Sequence, residues 1–302
     1  MKWFVMFVVA AILSVTSAQA QTFNEREASI QSYINDHSGR IATVEAALNE
    51  AYPGWNGTTS TPPPSGDRAL IWSTTHETGS ISSSWNFGRQ TVYSSGNGKT
   101  WIQEVSFAKS GRFVLAQSAT MDGSSGTRCF ITGDGRNGGW QALPKELYAT
   151  TWIYLPKEFP WAKTGSSGDS WLNVQQLKDR PSLSGSPVEP TVQINMASDS
   201  NGPYLYLYDS IARSWRNQNI SGQGRVYLPV NRWVKLEWYT LSKASGGSSW
   251  LKQDGKLILD HKNFRTIRSD GNVTNWSVNA YGGSAIGSAT LYWDDCTLET
   301  SK

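Results

Sequence analysis

Residues 233–259 run WVKLEWYTLSKASGGSSWLKQDGKLIL. Val234, Leu236 and Trp238 alternate with Trp233, Lys235, Glu237 and Tyr239, the period of two expected of a strand with one buried face. Residues 249–253 continue in the same manner, Asp254-Gly255 is a tight-turn signal, and Lys256-Leu-Ile-Leu259 resumes the strand. Working outward, residues 101–107, 112–116, 149–155, 171–178, 191–196, 203–208, 276–281 and 289–298 read alike. Asp270-Gly271 and Gly282-Gly283 supply further turns, and no internal repeat is visible. Many short strands with no helices between them predict an all-β fold, an antiparallel β-sandwich.

Composition agrees. The chain holds 15 Trp, 12 Tyr and 28 Gly with only 17% charged residues, which suits strands joined by tight turns. A net charge of +3 is too small to argue for nucleic acid, and no nucleic-acid partner is expected.

The first residues differ. Lys2, an apolar run from Trp3 to Val15 and the small-x-small site Ala18-Gln19-Ala20 have the layout of a signal peptide over residues 1–20. The apolar run is short for a bilayer span, so no membrane span is expected, and the protein is expected to be secreted, periplasmic or on the cell surface. In residues 21–52, Ile34, Ile41 and Leu48 repeat every seven residues, which predicts an amphipathic helix. A helix that short needs a partner: the main domain, or a second copy joined through residues 22–50 as a homo-oligomer. Residues 53–68, rich in Pro, Thr, Gly and Ser, read as a linker, and residues 69–302 as the main domain. Cys129 and Cys296 leave two readings open, a disulfide or two buried thiols. With His37, His76 and His261 they form no zinc spacing, and no organic cofactor is expected.

In several strands one face carries large polar or aromatic groups. Gln176 shares a face with Lys178, Gln193 with Asn195, Tyr204 with Tyr206 and Tyr208, Glu237 with Tyr239, and Asn279 with Tyr281. Rings stack on the apolar faces of sugars, while amides and charges bond to hydroxyls and carboxylates. The alternative is an ordinary solvated outer face. The repetition over five strands favours a carbohydrate site, with Gln193, Asn195, Tyr206, Glu237, Tyr239 and Asn279 as substrate ligands.

The segment His76-Glu-Thr-Gly-Ser-Ile-Ser-Ser-Ser-Trp85 resembles the opening strand of heparin-lyase-I-like proteins. Gly126-Thr-Arg-Cys-Phe130, Tyr154-Leu-Pro-Lys-Glu-Phe159, Trp171-Leu-Asn-Val-Gln-Gln-Leu-Lys178, Leu228-Pro-Val-Asn-Arg-Trp233, Gln253-Asp-Gly-Lys256, Trp276-Ser-Val-Asn-Ala-Tyr281 and Leu291-Tyr-Trp-Asp-Asp295 follow in the family's order. The resemblance implies a concanavalin A-like jelly roll with a concave carbohydrate-binding sheet. It also implies a structural calcium between the first and last strands, at Glu77 and Asp295 with Asp294 as the spare.

A second resemblance, to jelly-roll alginate lyases, places Arg128 at the Arg of an Arg-Thr-Glu-type strand, Gln176-Leu177-Lys178 at a Gln-Ile-His strand and Asn279-Ala280-Tyr281 at a late strand ending in Tyr. It implies β-elimination on a uronate-containing, acidic polysaccharide. Arg128 and Gln176 would hold the carboxylate, Lys178 would act as base or carboxylate partner, and Tyr281 as acid, base or both. Lys stands where those enzymes have His. The alternatives are a non-catalytic, lectin-like binding protein and a surface adhesion protein on the same fold. The Glu-x-Asp-x-x-Glu strand of hydrolases with this fold is absent, and Glu104 and Glu237 stand alone on their strands.

Overall fold

A computed structural model describes residues 67–85, 92–121, 125–132, 142–165, 170–180, 189–268, 271–283 and 286–302. The signal peptide expected at residues 1–20, the helix at 21–52 with its oligomerisation segment 22–50, and the linker up to residue 66 lie outside the described residues. No helix among the described residues is long and apolar enough to cross a membrane.

The described chain is almost all strand. In order come β1 (Arg68–Thr74), β2 (Val92–Ser95), β3 (Lys99–Glu104), β4 (Phe113–Met121), β5 (Gly126–Thr132), β6 (Glu146–Tyr154), β7 (Leu172–Arg180) and β8 (Glu189–Asp199). Then follow β9 (Gly202–Asp209), β10 (Ser214–Arg216), β11 (Trp233–Leu241), β12 (Gly247–Gln253), β13 (Lys256–Phe264), β14 (Asn272–Gly282) and β15 (Gly287–Ser301). They form two antiparallel sheets packed as a jelly-roll sandwich. The eight-stranded sheet has the order β13-β12-β11-β6-β15-β4-β3, with β1 also paired to β15. The seven-stranded sheet has the order β10-β9-β8-β7-β14-β5-β2.

The alternation in residues 233–259 sorts side chains as expected. Val234, Leu236 and Trp238 enter the core between the sheets, and the turn to β13 is made by Asp254 and Gly255 with φ of 50° and 79°. Both values lie in the left-handed region that two-residue hairpins demand, which Asp and Gly tolerate best. The Asp254 carboxylate then accepts the Lys235 N–H at 2.9 Å, which ties the turn to β11.

Trp72, Trp85 and Trp276 form the aromatic centre of the core, with ring centroids 4.6 to 6.2 Å apart. Removing such a ring costs about 3–5 kcal/mol through lost burial and the cavity left behind. Buried polar groups also bridge the sheets. Gln117 of β4 donates to the Val278 carbonyl at 3.2 Å and accepts from Trp293 at 2.9 Å, and Gln175 of β7 donates to Thr151 of β6 at 3.0 Å. Pairing makes such groups tolerable inside a core; both Gln117 side-chain atoms are paired, and of Gln175 the Nε2 is paired and the Oε1 is not.

The segment His76–Trp85, which resembles a family's opening strand, is a turn followed by one helical turn over Ile81–Ser84. Its buried His76 accepts the Trp85 indole N–H at Nε2, at 3.1 Å, and faces Asp294 with Nδ1 at 3.5 Å. Asp294 in turn accepts the Lys109 and Ser110 amides at 3.0 and 3.2 Å. These bonds close the sandwich where β15 changes neighbours. Residues 287–293 of β15 pair with β4 and residues 296–301 with β1. A register shift between Asp294 and Thr297, with φ of 42° at Asp295, keeps both Trp293 and Cys296 in the core. Of the two readings for the cysteines, the structure has the second: Cys129 and Cys296 are buried free thiols.

Candidate active site

The outer face of the seven-stranded sheet holds a cavity of about 490 Å³, within the range of small-ligand sites. Arg128 comes from β5, Tyr281 from β14, Gln176 and Lys178 from β7, and Gln193 and Asn195 from β8. Tyr206 and Tyr208 of β9, Trp215 of β10, Trp171 and Pro190 complete the lining. The four residues carried over from the alginate-lyase resemblance therefore share one cavity. Antiparallel pairing brings them there, since Asn279 sits opposite Arg128, Tyr281 opposite both Gly126 and Asn173, and Gln176 opposite Gln193.

Arg128 and Tyr281 are packed together. The guanidinium carbon lies 3.9 Å from the centre of the Tyr281 ring and 5.7 Å from that of Tyr93. Gly126 makes room, because a Cβ there would collide with Tyr281 Cδ2. Trp171 meets the same ring edge-on at 5.0 Å. Burial lowers the Arg128 pKa, and hydrogen bonding and electrostatic attraction to Tyr281 oppose that shift. Lys178 is more affected. Burial, reinforced by the positive charge of Arg128 and partly offset by Glu189, brings its pKa down to about 8. Its ammonium nitrogen lies 5.5 Å from the Phe130 ring.

A ladder of amides runs through the sheet beneath the cavity; Gln193, Asn195 and Tyr206 line the cavity, while Asn279 and Asn173 are fully buried and do not. Asn279 donates to Asn173 Oδ1. Asn173 Nδ2 donates to Gln193 Oε1 and Asn195 Oδ1, both at 2.8 Å, and Asn195 donates to the Tyr206 hydroxyl at 3.3 Å. Donation runs one way across β14, β7, β8 and β9. Burial pushes Tyr206 up to about 12, so its hydroxyl stays protonated. Among the residues that line the cavity, the buried Arg128 Nε and Gln176 Nε2 have no protein partner. Unpaired buried donors and acceptors are costly in a closed core, and their clustering on one cavity suits a polar ligand.

Asn173, Trp171, Tyr208 and Trp215 were not singled out as ligands in the sequence. Tyr208 carried a signal in the alternation of β9; Asn173 borders the register shift between Asn173 and Gln175 that redirects β7, and Trp215 sits on a strand of three residues.

Two expected ligands lie elsewhere. Glu237 and Tyr239 belong to β11 in the eight-stranded sheet and point away from its core. Glu237 pairs with Lys235 at 3.2 Å. Tyr239 stacks on Trp250, with centroids 5.4 Å apart, and donates to Glu146 at 3.0 Å. Alternation finds an outward polar face but does not say on which sheet it falls.

Glu77 and Asp295 do not fit a calcium cage. Both oxygens of Glu77 accept backbone N–H groups, from Arg112 at 3.0 Å and Phe113 at 2.9 Å, and Asp295 accepts the Ser110 hydroxyl at 2.6 Å. Calcium needs a convergent set of oxygens, whereas these oxygens face donors. Among the described residues no group of three or more His, Cys, Asp or Glu side chains could hold a metal ion. Hydrogen bonds to the 109–113 segment provide the tie between first and last strands.

No family model matches the sequence, and no curated protein matches it. Among solved structures, an endo-β-1,4-glucuronan lyase from the fungus Trichoderma reesei superimposes with a TM-score of 0.53 at 14% identity, over 77% of this chain and 96% of that one. The two chains share a fold. The alginate lyase vAL-1 from Chlorella virus gives a TM-score of 0.48 at 15% identity, over 77% of this chain and all of that one.

Proposed function

We propose that this chain is an exported polysaccharide lyase that binds an acidic, uronate-containing polysaccharide on the outer face of the seven-stranded sheet and cleaves it by β-elimination. The observation that carries the reading is the convergence of Arg128, Gln176, Lys178 and Tyr281 on one cavity of about 490 Å³. Two neighbouring, largely buried cations with unpaired donors beside them favour an anion, and a uronate carboxylate satisfies both needs.

In this reading Arg128 and Gln176 Nε2 bind the carboxylate, which makes the neighbouring C5 proton acidic. Neutral Lys178 takes that proton. The C4–O bond breaks as the C4=C5 double bond forms, and the Tyr281 hydroxyl protonates the departing oxygen. Lysine and tyrosine then return to their starting protonation through solvent. Asn195, Gln193 and Tyr206 bond to sugar hydroxyls, and buried Asn279 supports them through Asn173. The likeness to heparin-lyase-I-like proteins rests on the sequence segments and would place this chain within the wider group of jelly-roll lyases.

One observation favours binding without cleavage: a lysine occupies the position where the resembled enzymes have histidine. The two readings separate in one experiment. Glucuronan, alginate, heparin and pectate are incubated with the protein, and ultraviolet absorbance of the conjugated double bond is followed. A rise on at least one polymer is expected. Binding to these polymers with no rise on any would leave the lectin-like reading in its place.

A further inference from the structure

Trp215 is 48% exposed, and among the described residues it is the one strongly exposed apolar side chain that lines the cavity. Its strand, β10, spans three residues at the sheet edge and pairs with β9 alone. So short an edge would fray without other support. Buried Asp209 provides that support, accepting the Ile211 and Ala212 amides at 3.1 and 2.9 Å and pairing with Arg216 at 2.9 Å. Arg216 also stacks over the Phe264 ring at 4.3 Å. The indole tilts against Tyr208, with ring centroids 6.1 Å apart. An exposed tryptophan held this firmly is a binding surface set before any ligand arrives.

Its distance from the reacting groups sets its role. Lys178 stands on β7 and Tyr281 on β14, three and four strand positions away from Trp215 on β10, or about 14 and 19 Å at the usual strand spacing. Either span exceeds one sugar ring several times over. Resting on the carbohydrate reading above, we infer that Trp215 is a distal stacking subsite for a pyranose ring, which makes the site select long chains over short ones. A chain held at Arg128 and Lys178 reaches Trp215 only if it continues from β7 across β8 and β9. A short oligosaccharide at the reacting groups never touches it.

The test uses the full chain, the variants Trp215→Ala and Trp215→Phe, and a trisaccharide and a hexasaccharide of glucuronan and of alginate. Calorimetric binding and ultraviolet absorbance are read on the same samples. Loss of one stacked ring corresponds to roughly a three- to tenfold weaker interaction. Trp215→Ala is therefore expected to weaken hexasaccharide binding by that factor and leave the trisaccharide unchanged, with Trp215→Phe restoring most of the loss. Equal losses on both lengths, or none on the hexasaccharide, overturn the inference. If the wild type binds the hexasaccharide yet eliminates nothing, the lyase reading falls while the binding contrast still decides the role of Trp215. If it binds neither oligosaccharide, both fall.

Discussion

Lys178 carries the sharpest consequence at the scale of a single residue. Its pKa of about 8 arises from burial next to Arg128, so it holds its proton less tightly than in the unfolded chain. Between about 8 and the ordinary lysine value the unfolded state binds more protons, and stability rises with pH through that window. A base must be neutral to act, so kcat/KM is also expected to rise as pH increases through about 8. Lys178→Met removes the buried charge and should raise stability at neutral pH by about 1–2 kcal/mol, after allowance for partial solvent screening. Urea unfolding measures this, and a loss of stability would show that the lysine is not strained. Alternation made Lys178, Gln176 and Tyr281 legible as residues of one outward face, and the resemblance to jelly-roll alginate lyases picked them out as site residues. Trp215 was not legible, since a three-residue strand has too little periodicity to read. Asn173 escaped because the bulges of β7 shift its register.

At the level of the strand pair, the site depends on β5 and β14 lying close enough for a ring to cross between them. Gly126 permits this opposite Tyr281. Gly126→Ala should turn the Tyr281 ring away from Arg128, costing about 1–3 kcal/mol through overpacking. Elimination should fall by a larger factor than binding, because the carboxylate ligands Arg128 and Gln176 stay in place while the proton donor moves. Parallel kinetic and binding titrations test this; equal losses in both would mean that Tyr281 has no separate part in the reaction. Tight turns were readable in the other sheet, as Asp254-Gly255 between β12 and β13 illustrates. The outward polar pair Glu237 and Tyr239 was readable as well, but its sheet was not. Sheet membership depends on long-range pairing, and β11 could have joined either layer with the same alternation.

Across the whole molecule, the fold rests on core packing and inter-sheet hydrogen bonds rather than on covalent links. Cys129 lies in the seven-stranded sheet and Cys296 in the eight-stranded one, both buried and free, and burial pushes both thiols up. The native protein should resist a thiol reagent, both cysteines should react once it is unfolded in urea, and reductant should leave the unfolding midpoint unchanged. A midpoint lowered by reductant would reveal a disulfide. The sandwich as a class was visible in the spacing of strands and turns. The tie between the first and last strands was expected to be an ion. It consists of Glu77, Asp294 and Asp295 bonded to backbone and hydroxyl groups of residues 109–113, partners that no local pattern identifies.

The central claim is that the cavity on the seven-stranded sheet eliminates a uronate. Lys178→Arg tests it most directly, because arginine keeps the positive charge but does not give up its proton at the pH of the assay. Ultraviolet absorbance is followed with wild type and variant on the polymer that the wild type cleaves, beside a binding titration of each. The account predicts a rise in absorbance for the wild type, a loss of roughly a hundredfold or more in the variant, and binding retained in both. A variant that eliminates as fast as the wild type, or a wild type that gives no rise on any uronate polymer, would contradict it.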